Sequence, residues 1–239
     1  MSTALFCILR GDLLIKEEYK KLTKEIKLRL ETKSDYKKTE IMLRNAFWNE
    51  FQPGCVEHYL MNKIRNHPRF VSKLDTVAVV DDEIVGCAAF LEDKIQGDDG
   101  KTHSILCLGP LAVAPKYQQN GLGGRLIEHS KKLALKLGYN GIILYGDPNY
   151  YSRKGFEPAK NYNIRMANDK FATVLQVVPL YQDALKDCAG RYVEDEVYGV
   201  NQAEVDAFDA QFPFKKKVTN NASQLHFQKL IESQDVELG

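Results

Sequence analysis

The residues Gln118-Gln119-Asn120-Gly121-Leu122-Gly123-Gly124 join an apolar run ending at Pro115 to an amphipathic segment. Glycines let successive backbone N–H groups converge with no Cβ in the way. Together with the positive end of a following helix, such amides make an anion site that suits a pyrophosphate. The loop is not a P-loop, because no Lys-Ser or Lys-Thr follows the glycines. Nor is it a dinucleotide fingerprint, since Leu126 stands where G-x-G-x-x-G needs its third glycine. The bare pattern also reads as a tight strand-to-helix turn. A second segment, Gly146-Asp147-Pro148-Asn149-Tyr150-Tyr151-Ser152-Arg153-Lys154-Gly155-Phe156, follows the next apolar run. Asp147 is a good N-cap and Pro148 a good first helical residue, so a single turn starts here and Gly155 ends it. Tyr150 and Tyr151 face different directions on that turn. One can pack while the other reaches a cleft, although both also read as core aromatics.

The elements that must position these residues can be read from periodicity. Ile26–Glu31 alternates apolar and polar, as a half-buried strand does. Asp35 is placed to cap a helix running from Tyr36 to about Trp48, Pro53-Gly54 breaks the chain, and a second helix runs from about Val56 to Arg65. Asp75–Val80 and Ile84–Phe90 read as a hairpin across Asp81-Asp82-Glu83, and Ser104–Val113 as a third strand. A helix after the glycine loop carries Leu122, Leu126, Ile127, Leu133 and Leu137 on one side, and Gly138 ends it. Gly141–Tyr145 is a short buried strand, and more strand is expected near Phe171–Val178. Helical patterns return at Gln202–Phe208 and Ser223–Ile231, where Phe208, Phe212 and Phe214 are expected to dock the C-terminal helices. The order is that of a mixed α/β chain and excludes a bundle or a sandwich.

Composition narrows the class further. The 239 residues carry 33 Lys+Arg against 32 Asp+Glu, with 44% hydrophobic and 27% charged residues. That length buries a core without metal or disulfide staples. A net charge of +1 makes no case for nucleic acid, and Lys215-Lys216-Lys217 reads as a solvated loop. No apolar stretch approaches the roughly 20 residues that span a bilayer, and the first ten residues lack the basic region and cleavage site of a signal peptide. Five scattered cysteines (Cys7, Cys55, Cys87, Cys107, Cys188) without C-x-x-C suggest neither a disulfide framework nor a metal site. A reducing cytoplasm is the expected location.

Taken together, the two segments resemble the GCN5-related N-acetyltransferase (GNAT) superfamily. Gln118–Gly123 looks like its Q/R-x-x-G-x-G/A pyrophosphate loop, Leu111-Ala112-Val113 like its pantetheine-binding strand, and Tyr151-Ser152-Arg153-Lys154-Gly155-Phe156 like its Y-x-x-x-G-F segment. The context Gly109-Pro110-Leu111-Ala112-Val113 is similar to the YhbS-like branch of predicted acetyltransferases. The resemblance is strong over about 75–158. It implies a central mixed, mostly antiparallel sheet with a splayed parallel strand pair, flanked by helices. Residues 24–199 would form that domain, 1–23 an unassigned extension, and 200–239 a helical appendage packed on it.

The implied activity is transfer of an acetyl group from acetyl-CoA directly to a primary amine. Leu111, Ala112 and Val113 would pair with the pantetheine, with the strands splayed by a bulge at Gly109-Pro110. Gln118, Gln119, Asn120, Gly121, Leu122, Gly123 and Gly124 would hold the pyrophosphate, and Asn149 and Tyr151 would complete the cofactor-binding set. The Val113 N–H would hold the oxyanion and Tyr151 would serve the departing thiolate. Many relatives place a glutamate on the strand before the tyrosine segment, but Gly141–Tyr145 has no carboxylate. Glu57 and His58, in the helix that lines the acceptor side in relatives, are the expected bases through a water, ahead of His103 and Glu92. Cys55 is not expected to carry an acyl group. No metal, nucleic acid or membrane partner is implied; the amine acceptor is unassigned and a homodimer is left open. The alternative is a catalytically silent acyl-CoA-binding or protein-interaction module with the same fold.

Overall fold

The computed structural model describes residues 25–232. Residues 1–24 and 233–239 lie outside them, and with them Cys7 and the expected N-terminal extension. Strands β1 (Lys27–Leu30), β2 (Thr76–Val80), β3 (Glu83–Gly97), β4 (Thr102–Val113) and β5 (Gly141–Tyr145) stand side by side in chain order. Beyond β5, β6 (Glu157–Pro158) forms the far edge, separated from it by β8 (Leu175–Pro179). The short strands β7 (Ile164–Met166) and β9 (Gly190–Val193) pair with each other, and β9 also pairs with the outer end of β3. Pairing is antiparallel except at β4–β5 and β7–β9. The expected mixed, mostly antiparallel sheet is therefore what the chain forms. The β2–β3 turn is tighter than expected: Asp81 and Asp82 take φ +45° and +63°, the twist-matched two-residue turn that Asp tolerates well.

Helices cover both faces. Helix α1 (Tyr36–Phe47) and α2 (Glu57–Arg65) bury Met42, Leu43, Met61 and Ile64 against Val77, Ile84, Cys87 and Leu91. Helix α3 (Leu122–Lys136) presents Leu122, Leu126, Ile127 and Ala134 to Phe90, Leu106, Leu108 and Ile142 on the opposite face, a stripe of helical period meeting alternate strand residues. Leu137, expected on that stripe, is the C-cap just beyond the helix and is 41% exposed. The single turn α4 (Pro148–Tyr151), α5 (Gln202–Asp209) and α6 (Ala222–Glu232) follow. Asp209 anchors α5 by accepting from the Arg44 Nε and Nη2 groups.

Three expectations are corrected. Asp35 does not cap α1; its carboxylate takes Arg29 Nη1 and Nη2 at 2.6 and 2.9 Å and the Thr32 N–H at 2.9 Å. Strand β3 runs on past Phe90 to Gly97 through the charged stretch Glu92-Asp93-Lys94. Asp93 is buried there because Tyr192 Oη and the Asp195 N–H donate to it at 3.0 and 3.1 Å and Arg69 lies 3.3 Å away. Phe214 docks nothing: it is 92% exposed, whereas Phe212 is buried.

A buried ionic network fastens β1 to α1 and α2. Arg65 donates to Glu31 at 2.7 Å and to Glu40 at 3.0 Å. Beside it, burial and then the Glu31 charge raise Asp75 to about 8. The folded chain thus holds a proton that the unfolded chain has already released. That stabilisation is complete below the ordinary carboxylate range and is lost as pH rises through about 8. Urea unfolding should therefore show stability falling between pH 6 and 9 by about 2 kcal/mol. Asp75→Asn should flatten that dependence. An equal pH slope in the variant would place the titration elsewhere.

Candidate functional site

The site begins where the sheet comes apart. β4 and β5 pair only at Leu106–Ile142 and Cys107–Ile143, after which β4 runs on alone to Val113 on that side. In the β3–β4 register Ala88 faces Leu111 and Phe90 faces Leu108, so Gly109 and Pro110 together oppose Ala89. This bulge lies at Gly109-Pro110, where it was expected, and it turns β4 away from β5. Ala114 donates to Val85 at 2.9 Å across the β3 side. Strand alternation then directs the N–H groups of Leu111 and Val113 into the gap. The Val113 carbonyl, on the same side, accepts from Gln118 Nε2 at 3.0 Å.

The gap leads directly into the glycine loop. Gln119 and Gly121 both take positive φ, +62° and +77°, which turns consecutive amides toward a common point. Gly121 is the left-handed residue before α3, whose first-turn N–H groups have no intrahelical acceptor. A cleft of about 520 Å³ is lined here by Leu111, Ala112, Val113, Gln118, Gln119 and the Gly121–Gly124 segment, together with Tyr150 and Tyr151. Asn120 bonds back to the Gln118 carbonyl at 3.1 Å. Neither Asn120 nor Asn149, both expected to bind the cofactor, is among the residues that line the cleft; Asn149 is exposed, its N–H held by Asp147 Oδ1 at 2.8 Å as the helix cap requires.

The α4 turn places its tyrosines edge to face, 4.9 Å apart. Tyr151 packs at 5.4 Å against Phe156, and burial pushes its phenol well above the ordinary range. Tyr150 packs against the core, and its hydroxyl fills the space that a Cβ on Gly123 would take. The tyrosine therefore reaches the loop, and glycine at 123 is what admits it. Helix α6 braces this turn: His226 Nε2 lies 3.2 Å from Asp147 Oδ2, and the Phe227 ring lies 4.7 Å from that of Phe51.

The cleft does not include the two expected bases. Glu57 accepts from Cys55 Sγ at 3.2 Å and from the Val56 N–H at 3.1 Å, and burial raises it. His58 is fully buried under α5, between Phe208 and Phe212 at 5.3 and 5.2 Å, with Nε2 3.1 Å from Asp209. Desolvation lowers it to about 4, so the ring is neutral and sealed from the cleft. His103 and Glu92 lie on the far hairpin, beside Asp99 and Tyr139. Sequence reading also passed over Ala46, Phe47, Tyr117, Arg153 and Lys154, all of which line the cleft. Arg153 and Lys154 carry a signal that could have found them: they are cations one turn beyond the tyrosines.

Against this geometry, comparisons with known proteins are consistent. A family profile described as an acetyltransferase (GNAT) domain matches residues 72–158. The uncharacterized N-acetyltransferase YhbS of Escherichia coli K12 is 30% identical over 164 residues, covering 68% of this chain and 92% of YhbS. The crystal structure of Escherichia coli YhbS in complex with CoA superposes with a TM-score of 0.66 and 27% identity, over 74% of this chain and 94% of that one. A Brucella melitensis GNAT family acetyltransferase, solved with acetyl-CoA, shares the fold at TM-score 0.58 and 22% identity, over 74% and 99% of the two chains. The fold and cleft are those of the GNAT acetyltransferase class. The chain belongs to that family. No helix among the described residues is long and apolar enough to cross a membrane.

The cysteines have no part in this site. Cys55 is 4% exposed, and burial followed by the Glu57 charge pushes its thiol far above the ordinary range. Cys87, Cys107 and Cys188 are also buried and raised. Since thiolate is the reactive form, native protein at pH 8 should resist iodoacetamide at all four of these positions, and acetyl-CoA alone should leave no acetyl group on Cys55. A stoichiometric Cys55 adduct by intact mass would contradict this reading and require a covalent intermediate.

Proposed function

We propose that this chain is an acetyl-CoA-dependent N-acetyltransferase that moves the acetyl group directly to a primary amine. The observation that carries the reading is the continuity of one surface. The unpaired edge of β4 at Leu111–Val113 runs without interruption into a loop of converging amides at a helix N-terminus, with Tyr150 and Tyr151 on the facing wall. An elongated thioester ligand with an amide-bearing arm and a pyrophosphate matches that order of groups. The pantetheine amides would pair with Leu111 and Val113 as a substitute strand. Amides of Gln119–Gly124 would take the pyrophosphate, with Arg153 and Lys154 supplying positive charge at the mouth. CoA in the YhbS crystal structure supports the same reading.

The roles follow from the chemistry. An amine resembling lysine has a pKa near 10.4 and must lose a proton before it attacks. In a ternary complex no protein nucleophile is needed, which agrees with the inert cysteines. The Val113 N–H, directed into the gap, would hold the carbonyl oxygen as it becomes negative. Tyr151 would serve the sulfur as the C–S bond breaks. A tyrosine near 10 gives its proton to a thiolate near 8.5 only uphill, by roughly 2 kcal/mol, and burial of Tyr151 raises that gap. Tyr151 therefore acts by donating a hydrogen bond in the transition state rather than by complete transfer.

Two measurements test this. Titration calorimetry should show acetyl-CoA binding to the wild-type protein, with at least a tenfold loss in Gly121→Val or Gly123→Val. The first forces a β-branched residue into φ +77°; the second displaces the Tyr150 hydroxyl from the loop. Unchanged affinity in both would remove the loop from the site. Thiol release on a panel of primary amines should separate the tyrosines. Tyr151→Phe should lower turnover 10–100-fold at unchanged acetyl-CoA affinity. Tyr150→Phe should weaken acetyl-CoA binding several-fold and spare turnover at saturation. The opposite split would reverse the assignment, and binding without any turnover would favour the catalytically silent module.

A further inference from the structure

A second recess of about 520 Å³ lies beside the cleft, and the two share Gly121, Gly124, Arg153 and Lys154. Its lining comes from the glycine loop, from α3 and from the segment after the tyrosine turn, and none of it from β4. On α3 the contributing residues are Arg125, Glu128 and Lys131, which recur three apart and so follow one side of the helix. The recess therefore lies past the glycine loop, away from Leu111–Val113. Four cations and one carboxylate line it. That is an excess of three positive charges, in a chain whose net charge is only +1.

The cations are held in place without being neutralised. Lys131 Nζ donates to Glu128 Oε1 at 2.7 Å and to the Lys154 carbonyl at 3.3 Å, which ties α3 to the facing wall and engages the one carboxylate. Arg125 Nη2 donates to the Ile26 carbonyl at 3.2 Å, and Arg153 Nε to the Asn149 carbonyl at 3.0 Å. A guanidinium has five N–H donors, so one carbonyl leaves most of them for an anion. Lys154 Nζ stands 2.9 Å from where a Cβ on Gly124 would lie, and glycine there lets the ammonium group rest over the loop. Among the described residues no carboxylate pairs with Arg125, Arg153 or Lys154. Like charges gathered in one recess repel each other, and a bound anion relieves that repulsion.

We propose that this recess binds the 3′-phosphate of CoA through Arg125, Lys131 and Lys154, and that it makes the protein select CoA over 3′-dephospho-CoA. The proposal rests on the acetyltransferase reading above. With the pantetheine on β4 and the pyrophosphate on the glycine loop, the nucleotide end of the ligand remains to be placed. It must leave the loop on the side away from β4, which is where the recess lies. A phosphomonoester carries a charge of about −1.5 to −2 at pH 7, and it answers an excess of cations as the uncharged adenine and ribose do not. Hydrogen bonds from Arg and Lys to phosphate are of the stronger, charge-assisted kind. No bond forms or breaks here. The recess acts at a distance from the thioester, so its contribution is the same in the ground state and the transition state. Such uniform binding lowers KM and leaves kcat unchanged.

The test is titration calorimetry of CoA and of 3′-dephospho-CoA on wild type and on the double variant Arg125→Gln/Lys131→Gln. Wild type should bind CoA at least tenfold more tightly than dephospho-CoA, and the preference should shrink as NaCl rises from about 50 to 500 mM. The double variant should lose on the order of tenfold in CoA affinity while binding dephospho-CoA within twofold of wild type. A merely structural role for the two cations would weaken both ligands alike. With any amine that is acetylated, replacing acetyl-CoA by its dephospho form should raise KM for wild type and leave kcat alone. The wild-type comparison stands whether or not the variant folds. Equal affinity of wild type for the two ligands, the result expected if the recess takes a free phosphate or nothing, would overturn this assignment alone. A double variant that keeps the full preference for CoA, or loses affinity for both ligands equally, would do the same. Failure of wild type to bind either ligand would instead overturn the acetyltransferase reading and this assignment with it.

Discussion

Everything in this molecule that can do chemistry depends on a strand pairing that stops early. β4 and β5 hydrogen-bond at only two registers before the Gly109-Pro110 bulge turns them apart. An unpaired strand edge costs free energy when buried and attracts another chain when exposed. Here the edge lines a cleft of about 520 Å³. The rest of the fold packs around that gap. α3 is packed on one face through Leu122, Leu126 and Ile127, α1 and α2 are packed on the other, and β8 braces the outer side of β5 across five residues.

The buried charges belong to the same support. Asp93 lies inside a β-strand, where an unpaired carboxylate would be very costly. Tyr192, Asp195 and Arg69 converge on it, and in doing so they tie β9 to the outer half of β3. That connection fixes where the chain goes next and sets Tyr198 beside the bulge. On the opposite side, Arg65 gathers Glu31 and Glu40 from two different elements. Arg44 and His58 both meet Asp209 and bind α5 over the helical face. The C-terminal helices thus complete the support of the cleft wall, with α6 reaching the Asp147 cap of the tyrosine turn.

Most of the fold was legible in the sequence because its elements are periodic and local. The hairpin, the α3 stripe, the bulge and the cap at Asp147 each rest on neighbouring residues obeying short-range rules. What was not legible depends on distant partners. Nothing near Glu92-Asp93-Lys94 signals a strand, because Tyr192 and Asp195, which donate to Asp93, arrive from about a hundred residues away. Asp35 looks like a helix cap until Arg29 on β1 claims its carboxylate. The candidate site divides the same way. The loop and Tyr151 were visible as motifs, whereas the reach of Tyr150 to Gly123 requires the tertiary fold. Glu57 and His58 are suggested as bases by their place in the helix that lines the acceptor side in relatives; burial and the packing of α5 remove His58 from solvent.

The central claim is that the free edge of β4 is a binding edge, and amide hydrogen exchange reads it directly. In the free protein the Leu111 and Val113 amides, which face the gap, should exchange much faster than Ala112 and Ala114, which face β3. Saturating acetyl-CoA should slow Leu111 and Val113 at least tenfold and leave Ala112 and Ala114 nearly unchanged. Protection confined to other parts of the chain, with Leu111 and Val113 exchanging as before in the presence of bound ligand, would contradict the account.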